Sequence, residues 1–441
     1  MADTYLSKTY GSSGNRQRQA ISVWVKRAKL ADTQTIFWSN GGSSYYAHLR
    51  FKSDDTLQYY AHNTCNLKTN RKFRDTNAWL HICVTLDTPQ ATQSDRLKIY
   101  INGVAETSFS TATYPSQNAE VKFADDNIHY IGQSDSGSYF DGYMSHFHFV
   151  TNTAYAASTF GSTDSVTGEW QINPSPTVTY ATNSFFVFKD GNSGTDQSGQ
   201  GNNYSVANGT LLATKDCPSN VFAVVSNLDN YYPSSAFADG NLELTTNSSN
   251  YTFNNATLGY SSGKYYWEAK VASTSNYDHI GITENGSTGS QNYMYDCPHS
   301  YVLKSNNGVL KENTGSGQGT VSGFSGSSFT AGDYIGVAHD ADNNKIYFSK
   351  NGTWMNSANP STPTGGITTT AASSTNTKFW LPAFGDENNG TYTKWEINFG
   401  NGAFAATQLT GTTYPANGNL GIFKYQPPTG FTALCTKGLN L

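Results

Sequence analysis

Asp386 and Glu387 are adjacent acids, His146 and His148 alternate, and Tyr293, Tyr295, Asp296 and His299 share the stretch SQNYMYDCPHSY. Each group suggests a different chemistry. Retaining hydrolysis of a glycosidic bond uses two carboxylates about 5–5.5 Å apart. On an extended segment that spacing puts acids at i, i+2 or i+4 on one face. Glu268, Glu284, Glu312 and Glu396 stand singly, and adjacency points Asp386 and Glu387 to opposite sides. No catalytic residue is assigned. His146 and His148 share one side of a strand, as some metal ligands do, but no third ligand follows at a recognisable spacing. With Phe147 and Phe149 opposite them, they read as a packed sheet, and no metal residue is assigned.

Recognition of a sugar or a protein asks for something else: aromatic platforms beside amides and hydroxyls, held on loops of a rigid scaffold. Two stretches have that composition. NLDNYYPSS offers Tyr231 and Tyr232, and SQNYMYDCPHSY offers Tyr293, Tyr295, Asp296 and His299. The competing reading is that these tyrosines cap a core or pack against a neighbouring subunit.

The scaffold holding such loops follows from composition. Charged residues make up 13% of the 441-residue chain, about half of the ordinary share, while aromatics reach 14%. Tyr, Phe, Thr and Val suit pleated, half-buried surfaces, and Leu, Glu, Lys and Arg are thin. The chain therefore reads as all-β. Disorder is rejected because disordered chains are poor in aromatics. A net charge of −5 gives no footprint for nucleic acid. Cys65, Cys83, Cys217, Cys297 and Cys435 are scattered, odd in number and without CxxC spacing, which predicts free thiols made in a reducing compartment. The opening MADTYLSKTYGSSGNRQRQ lacks an apolar signal region, and no long apolar window predicts membrane insertion. Asn-x-Ser/Thr sites such as Asn247, Asn285, Asn351 and Asn389 are then expected as bare turn residues.

Short alternating runs divide the first half: AISVWVKRAKL, QTIFWSN, YYAHLRF, TLQYYAH, AWLHICVTLD and RLKIYINGV. Their spacing and turn signals argue for a sandwich of antiparallel strands. The stretches ISVWVKRAK, WLHICVTLD, KIYINGV and IGQSDSGSYFDGYMSHFHF resemble the concanavalin A-like, laminin-G-type jelly roll over about residues 5–160. NSFFVFKDGNSGTDQSGQGNNYSV (183–206) is similar to the strand and turn that open such domains, and is expected to complete the first sandwich in permuted order. Domains of this type often bind calcium through loop acids, which would make Asp125, Asp126, Asp135 and Asp141 the candidates; otherwise no cofactor is implied.

In the second half, GKYYWEAKV, GDYIGVAHDADNNKIYFSKNGTW (with G-D-x-I-G-V and K-N-G), P-A-F at 382–384 and N-F-G at 398–400 resemble the SPRY domain over about residues 225–405. The resemblance puts SQNYMYDCPHSY where SPRY domains place a variable, ligand-facing loop. LKIYINGV and NKIYFSKNGTW echo each other because both sandwiches need a hairpin whose Asn-Gly turn accepts positive φ. The expected layout is a jelly roll at 1–165, a connector at 166–224, a SPRY-like sandwich at 225–405 and an extended tail at 406–441.

The ending P-P-x-G-F-x-A-L-C-T is similar to virion-associated proteins of marine tailed phages. That resemblance implies a virion component assembled in the host cytoplasm, with other virion proteins and a host-surface glycan or protein as partners. The expected function is host attachment by a tail fibre or similar appendage, as a homo-oligomer such as a trimer. A capsid decoration with purely structural contacts is the alternative, and a surface polysaccharide hydrolase a weaker one.

Overall fold

The computed structural model describes residues 3–134, 137–189, 193–230, 235–248, 251–284, 293–387 and 390–441, and among these it holds strands and single 3-10 turns but no α-helix. No helix is long and apolar enough to cross a membrane. The chain divides into two compact units, one of Met1–Ala213 with Cys217–Ser219 and one of Thr214–Asp216 with Asn220–Leu441.

The first unit stacks an eight-stranded on a six-stranded antiparallel sheet. The larger sheet runs, in spatial order, through Phe109–Thr113, Cys65–Lys72, Thr56–Ala61, Tyr46–Phe51, Gln34–Asn40, Ile128–Ile131, Tyr5–Thr9 and Ser205–Asn208. The smaller runs through Phe185–Val187, Gly142–Thr151, Arg18–Arg27, Leu80–Asp87, Leu97–Ile101 and Val104–Ala105. Alternation along each strand sends Ile21, Val23, Phe37, Leu49, Tyr59, Ile82, Ile99 and Phe149 into the shared core. The segment set apart as a connector supplies one strand to each sheet. Phe185–Val187 pairs with Gly142–Thr151, and Ser205–Asn208 pairs with Tyr5–Thr9. The first unit therefore extends to Ala213, beyond the boundary expected at 165.

The second unit is also a sandwich. One sheet is ordered Val225–Asn230, Thr252–Ala256, Leu381–Asp386, Asp278–Thr283, Ser300–Lys304, Leu310–Asn313 and Gln318–Thr320. The other centres on Lys264–Ser273, flanked by Lys394–Asn398 and Tyr334–Asp340. Trp267, Trp380 and Trp395 are fully buried between them.

Both echoing hairpins use the predicted turn. Asn102 and Gly103 have φ of 48° and 77°, and Asn351 and Gly352 have 50° and 82°, so each pair occupies the left-handed region that Asn-Gly tolerates.

The segment expected as an extended tail is folded into the second unit. Thr432–Ala433 pairs in parallel with Lys264–Ser273, and Leu434 lies in the main core. Phe423, Phe431 and Cys435 are buried in an adjoining apolar cluster with Phe222 and Tyr266. The buried carboxylate of Glu268 accepts the backbone N–H groups of Lys424 and Tyr425 at 2.9 and 2.8 Å. These apolar residues sit between prolines and glycines without periodicity, so their pattern gave no sign of burial. All five cysteines are free, and burial pushes the Cys65 and Cys83 thiols up to about 12.

Candidate functional site

Strands Asp278–Thr283, Ser300–Lys304 and Leu381–Asp386 bring three polar residues to one end of their sheet. Glu387 follows the last of them. Its Oε2 accepts the Tyr295 hydroxyl at 2.6 Å, and its Oε1 accepts the Lys304 ammonium. His279 Nε2 lies 3.3 Å from Oε2 without hydrogen-bond alignment. Burial pushes the Glu387 carboxyl up, but His279, Lys304 and Tyr295 outweigh it and hold the group at about 2. Glu387 is thus an ionised anchor committed to its neighbours.

Tyr295 arrives on the 3-10 turn Met294–Asp296. Asp296 closes this turn by accepting the Tyr293 backbone N–H at 2.8 Å, and it also accepts the Gln318 side chain. The Tyr293 and Tyr295 rings stack 5.0 Å apart at 9°, and the Tyr251 ring lies 4.8 Å from Tyr293. The Lys304 and Lys311 ammonium groups stand 5.4 and 5.6 Å from the Tyr295 ring centre, within cation–π range. Tyr295 itself is only 6% exposed and packs on Phe253, Met294 and Val302. It caps the sheet, while Tyr251, Tyr293 and Lys311 are half-buried and face outward in part.

Of the six residues singled out in the sequence, Tyr293, Tyr295 and Asp296 come together. His299 shares their segment but is buried, with φ of 53° and its Nδ1 3.4 Å from Glu284 Oε2. A Cβ at Gly315 would lie 2.8 Å from its Nε2, so the ring fills the space over that glycine and takes no part in the cluster. Tyr231 and Tyr232 lie outside the described residues. Tyr251, His279, Lys304, Lys311 and Glu387 were not singled out. Alternation in YVLK signalled that Lys304 leaves the core, but the register joining it to Glu387 was not visible.

Asp386 points to the opposite face from Glu387, as their adjacency predicts, and stands directly across from Asp278 on the neighbouring strand. The two acids are 1% and 0% exposed. Asp278 accepts hydrogen bonds from Thr274, Ser275 and Thr393, and Asp386 accepts one from Thr246 at 2.5 Å. Burial pushes the Asp386 carboxyl up to about 7, and the charge of Asp278 adds to that shift. A carboxyl pair enclosed in this way has no path to a polymeric substrate.

The loop acids do not form a cation cage. Asp125 accepts Ser13, Arg16 and Tyr45 as donors, which fills its lone pairs with hydrogen bonds. Asp126 is exposed, Asp141 lies on a strand flank, and Asp135 falls outside the described residues. Among the described residues no three of His, Cys, Asp and Glu are grouped to hold a metal. His146 and His148 are divided by a register shift. His146 takes a φ of 46°, while His148 stacks on Phe186 at 3.8 Å and meets the Tyr180 hydroxyl at 2.7 Å.

These two antiparallel sandwiches define a class of modular, all-β chain. Residues 2–159 match the family model of the concanavalin A-like lectin/glucanases superfamily, and residues 264–383 match that of the SPRY domain. The chain thus carries a laminin-G/concanavalin A-like domain followed by a SPRY domain. Among solved structures it is similar to the SPRY domain of human HERC1, at 18% identity over 39% of this chain and 96% of that one, with a TM-score of 0.30. A human SPRY domain gives 19% identity over 35% and 89%, with a TM-score of 0.25. The native heptameric SAP-like pentraxin from Limulus polyphemus gives 18% over 37% and 77%, with a TM-score of 0.28. No curated protein matches the chain.

Proposed function

We propose that this chain is a non-enzymatic recognition protein of a phage virion, a tail fibre or similar appendage that touches host-surface glycan or protein. The observation that carries the recognition role is the cluster of half-buried Tyr251 and Tyr293 beside Lys311, built on a rigid base of Tyr295, Lys304 and Glu387. Aromatic rings give contact area at low entropic cost, and a base already fixed by ion pairs and hydrogen bonds spares further ordering on binding. The virion context rests on the resemblance of the C-terminal motif. The lack of catalysis is supported by acids that are either enclosed, as in Asp278 and Asp386, or tied to cations, as in Glu387.

The test incubates the recombinant chain with surface polysaccharide of the host and measures retention and new reducing ends together. Retention without release is expected, as is block of phage adsorption by soluble protein, with both lost on Tyr293→Ala. Release of reducing ends would overturn the non-enzymatic reading. Immunogold label on the head with no block of adsorption would overturn attachment in favour of a capsid decoration.

A further inference from the structure

The face of the eight-stranded sheet turned away from the core carries a continuous row of rings. Register places Asn66, Tyr60, His48, Trp38 and Tyr130 directly opposite one another on five successive strands. At strand spacing this row spans roughly 19 Å. The core-facing row beside it, Leu67, Tyr59, Leu49 and Phe37, is fully apolar but for one phenol. Tyr46 and His62 extend the outer row along the strands. Trp38 and Tyr46 stack at 5.1 Å and 2°, His48 and Tyr60 at 5.1 Å and 19°, and Tyr46 lies 5.2 Å from His62.

A polar ladder adjoins the rings. Gln58 Oε1 accepts both His48 Nε2 and Arg50 Nε at 3.3 Å, and Gln58 Nε2 donates to Asn66 at 2.9 Å. This fixes the plane of the Arg50 guanidinium. Among the described residues its two terminal amino groups meet no acceptor and no carboxylate, and the half-buried Tyr46 and Tyr60 flank it. Lys52 adds positive charge nearby, and Lys68 is paired with Asp54 at 2.8 Å. Two atoms buried in the row, Trp38 Nε1 and His48 Nδ1, find no protein partner. Because His48 Nε2 donates to Gln58, its Nδ1 is a bare acceptor. Buried polar atoms are nearly always satisfied, so a polar network left open at both members marks a face completed by something outside the chain.

We propose that this sheet face binds an acidic oligosaccharide, with the open Arg50 fork taking a uronate carboxylate and Tyr46 and Tyr60 packing against sugar rings. The planar fork matches a planar carboxylate bidentately. Neutral Gln58, Asn66 and His48 match hydroxyl groups, and the rings match the apolar faces of pyranoses. A nucleic acid strand would require a charged groove following many phosphates, whereas one open guanidinium in a chain of net charge −5 supplies none. The site belongs to the first unit and is independent of the SPRY-domain cluster.

The test titrates the full chain with a mannuronate hexamer by calorimetry, with mannohexaose as the neutral control and a thymidylate hexamer as the polyphosphate control. Binding of the mannuronate hexamer is expected, at least about tenfold tighter than of mannohexaose. Arg50→Gln and Tyr60→Ala should each weaken it by about tenfold or more, and Tyr293→Ala should leave it unchanged. Arg50→Lys keeps the charge without the fork and should recover only part of the affinity; it carries the test should the glutamine variant not fold. Failure of the mannuronate hexamer to bind, equal binding by Arg50→Gln, equal affinity for mannohexaose, or tighter binding of thymidylate overturns the proposal. Loss of hexamer binding on Tyr293→Ala would overturn it by moving the glycan to the SPRY domain. Unchanged hexamer binding in a Tyr293→Ala chain that no longer blocks adsorption would keep the two sites distinct.

Discussion

Tyr295 gives its hydroxyl to Glu387 while its ring lies under two ammonium groups, so the two ends of this side chain do different work. Tyr295→Phe removes only the hydrogen bond to a charged acceptor. It should cost about 1.5–3 kcal/mol, read as a fall in urea midpoint at unchanged m-value. In the first unit, Asp55 holds Arg27 at 3.2 Å and Arg74 at 2.9 Å, while Arg27 also donates to Gln34 and Phe73 and lies 4.4 Å over the Phe51 ring. Arg27 and Asp55 are both 3% exposed. Asp55→Ala leaves a guanidinium enclosed without its counter-charge and should destabilise the unit by about 3–5 kcal/mol in denaturant titration. Neither arrangement was legible beforehand. Asp55 sits among ordinary turn residues, and Glu387 read as the outward half of an adjacent acid pair. What was legible was the segment: Tyr293, Tyr295 and Asp296 stand together because loop composition names recognition residues more readily than it names their supports.

At the scale of elements, facing strands set Asp278 against Asp386. The folded-state Asp386 carboxyl titrates near 7 against an ordinary 3.8, so the folded chain holds a proton there that the unfolded chain has lost. Stability from this group is therefore full below about 4, falls as pH rises toward 7, and is flat above. Glu268, also pushed up to about 7 by burial, contributes in the same direction. Melting temperature should accordingly decline between pH 5 and 7, and Asp386→Asn should flatten part of that decline; an unchanged slope would refute the assignment. Asp278→Asn removes the facing charge and should move the decline to lower pH. The hairpins were readable because a two-residue turn with positive φ restricts its residues to very few types, of which Asn-Gly is the foremost. The Asp278–Asp386 pairing was not, because register between strands distant in sequence is decided by the packing of every other residue on them.

Across the whole molecule, two cores form from separate stretches of chain, Leu6 to Tyr204 in one and Ala223 to Leu434 in the other. Each unit should melt in its own transition, and proteolysis within 213–220 should release two pieces that each keep native circular dichroism. The alternating runs made both sandwiches legible, but the boundary was placed too early because the strands at 185–187 and 205–208 are short and isolated. Phe431→Ala, which empties a fully buried position, should lower the stability of the second unit alone by about 3–5 kcal/mol. The C-terminal segment bears on synthesis as well. Thr432–Ala433 lies beside Lys264–Ser273, and Cys435 bridges to Phe222 at the opposite end of the unit's sequence. Domains tend to fold as units in order of their emergence from the ribosome. The first sandwich can close while the second is still being made, but the second must wait until residue 435 is free. A chain cut short by premature termination or by a nick near its end would then carry one finished module and one open one, so exposed apolar surface would mark it for removal before it reached an assembling particle.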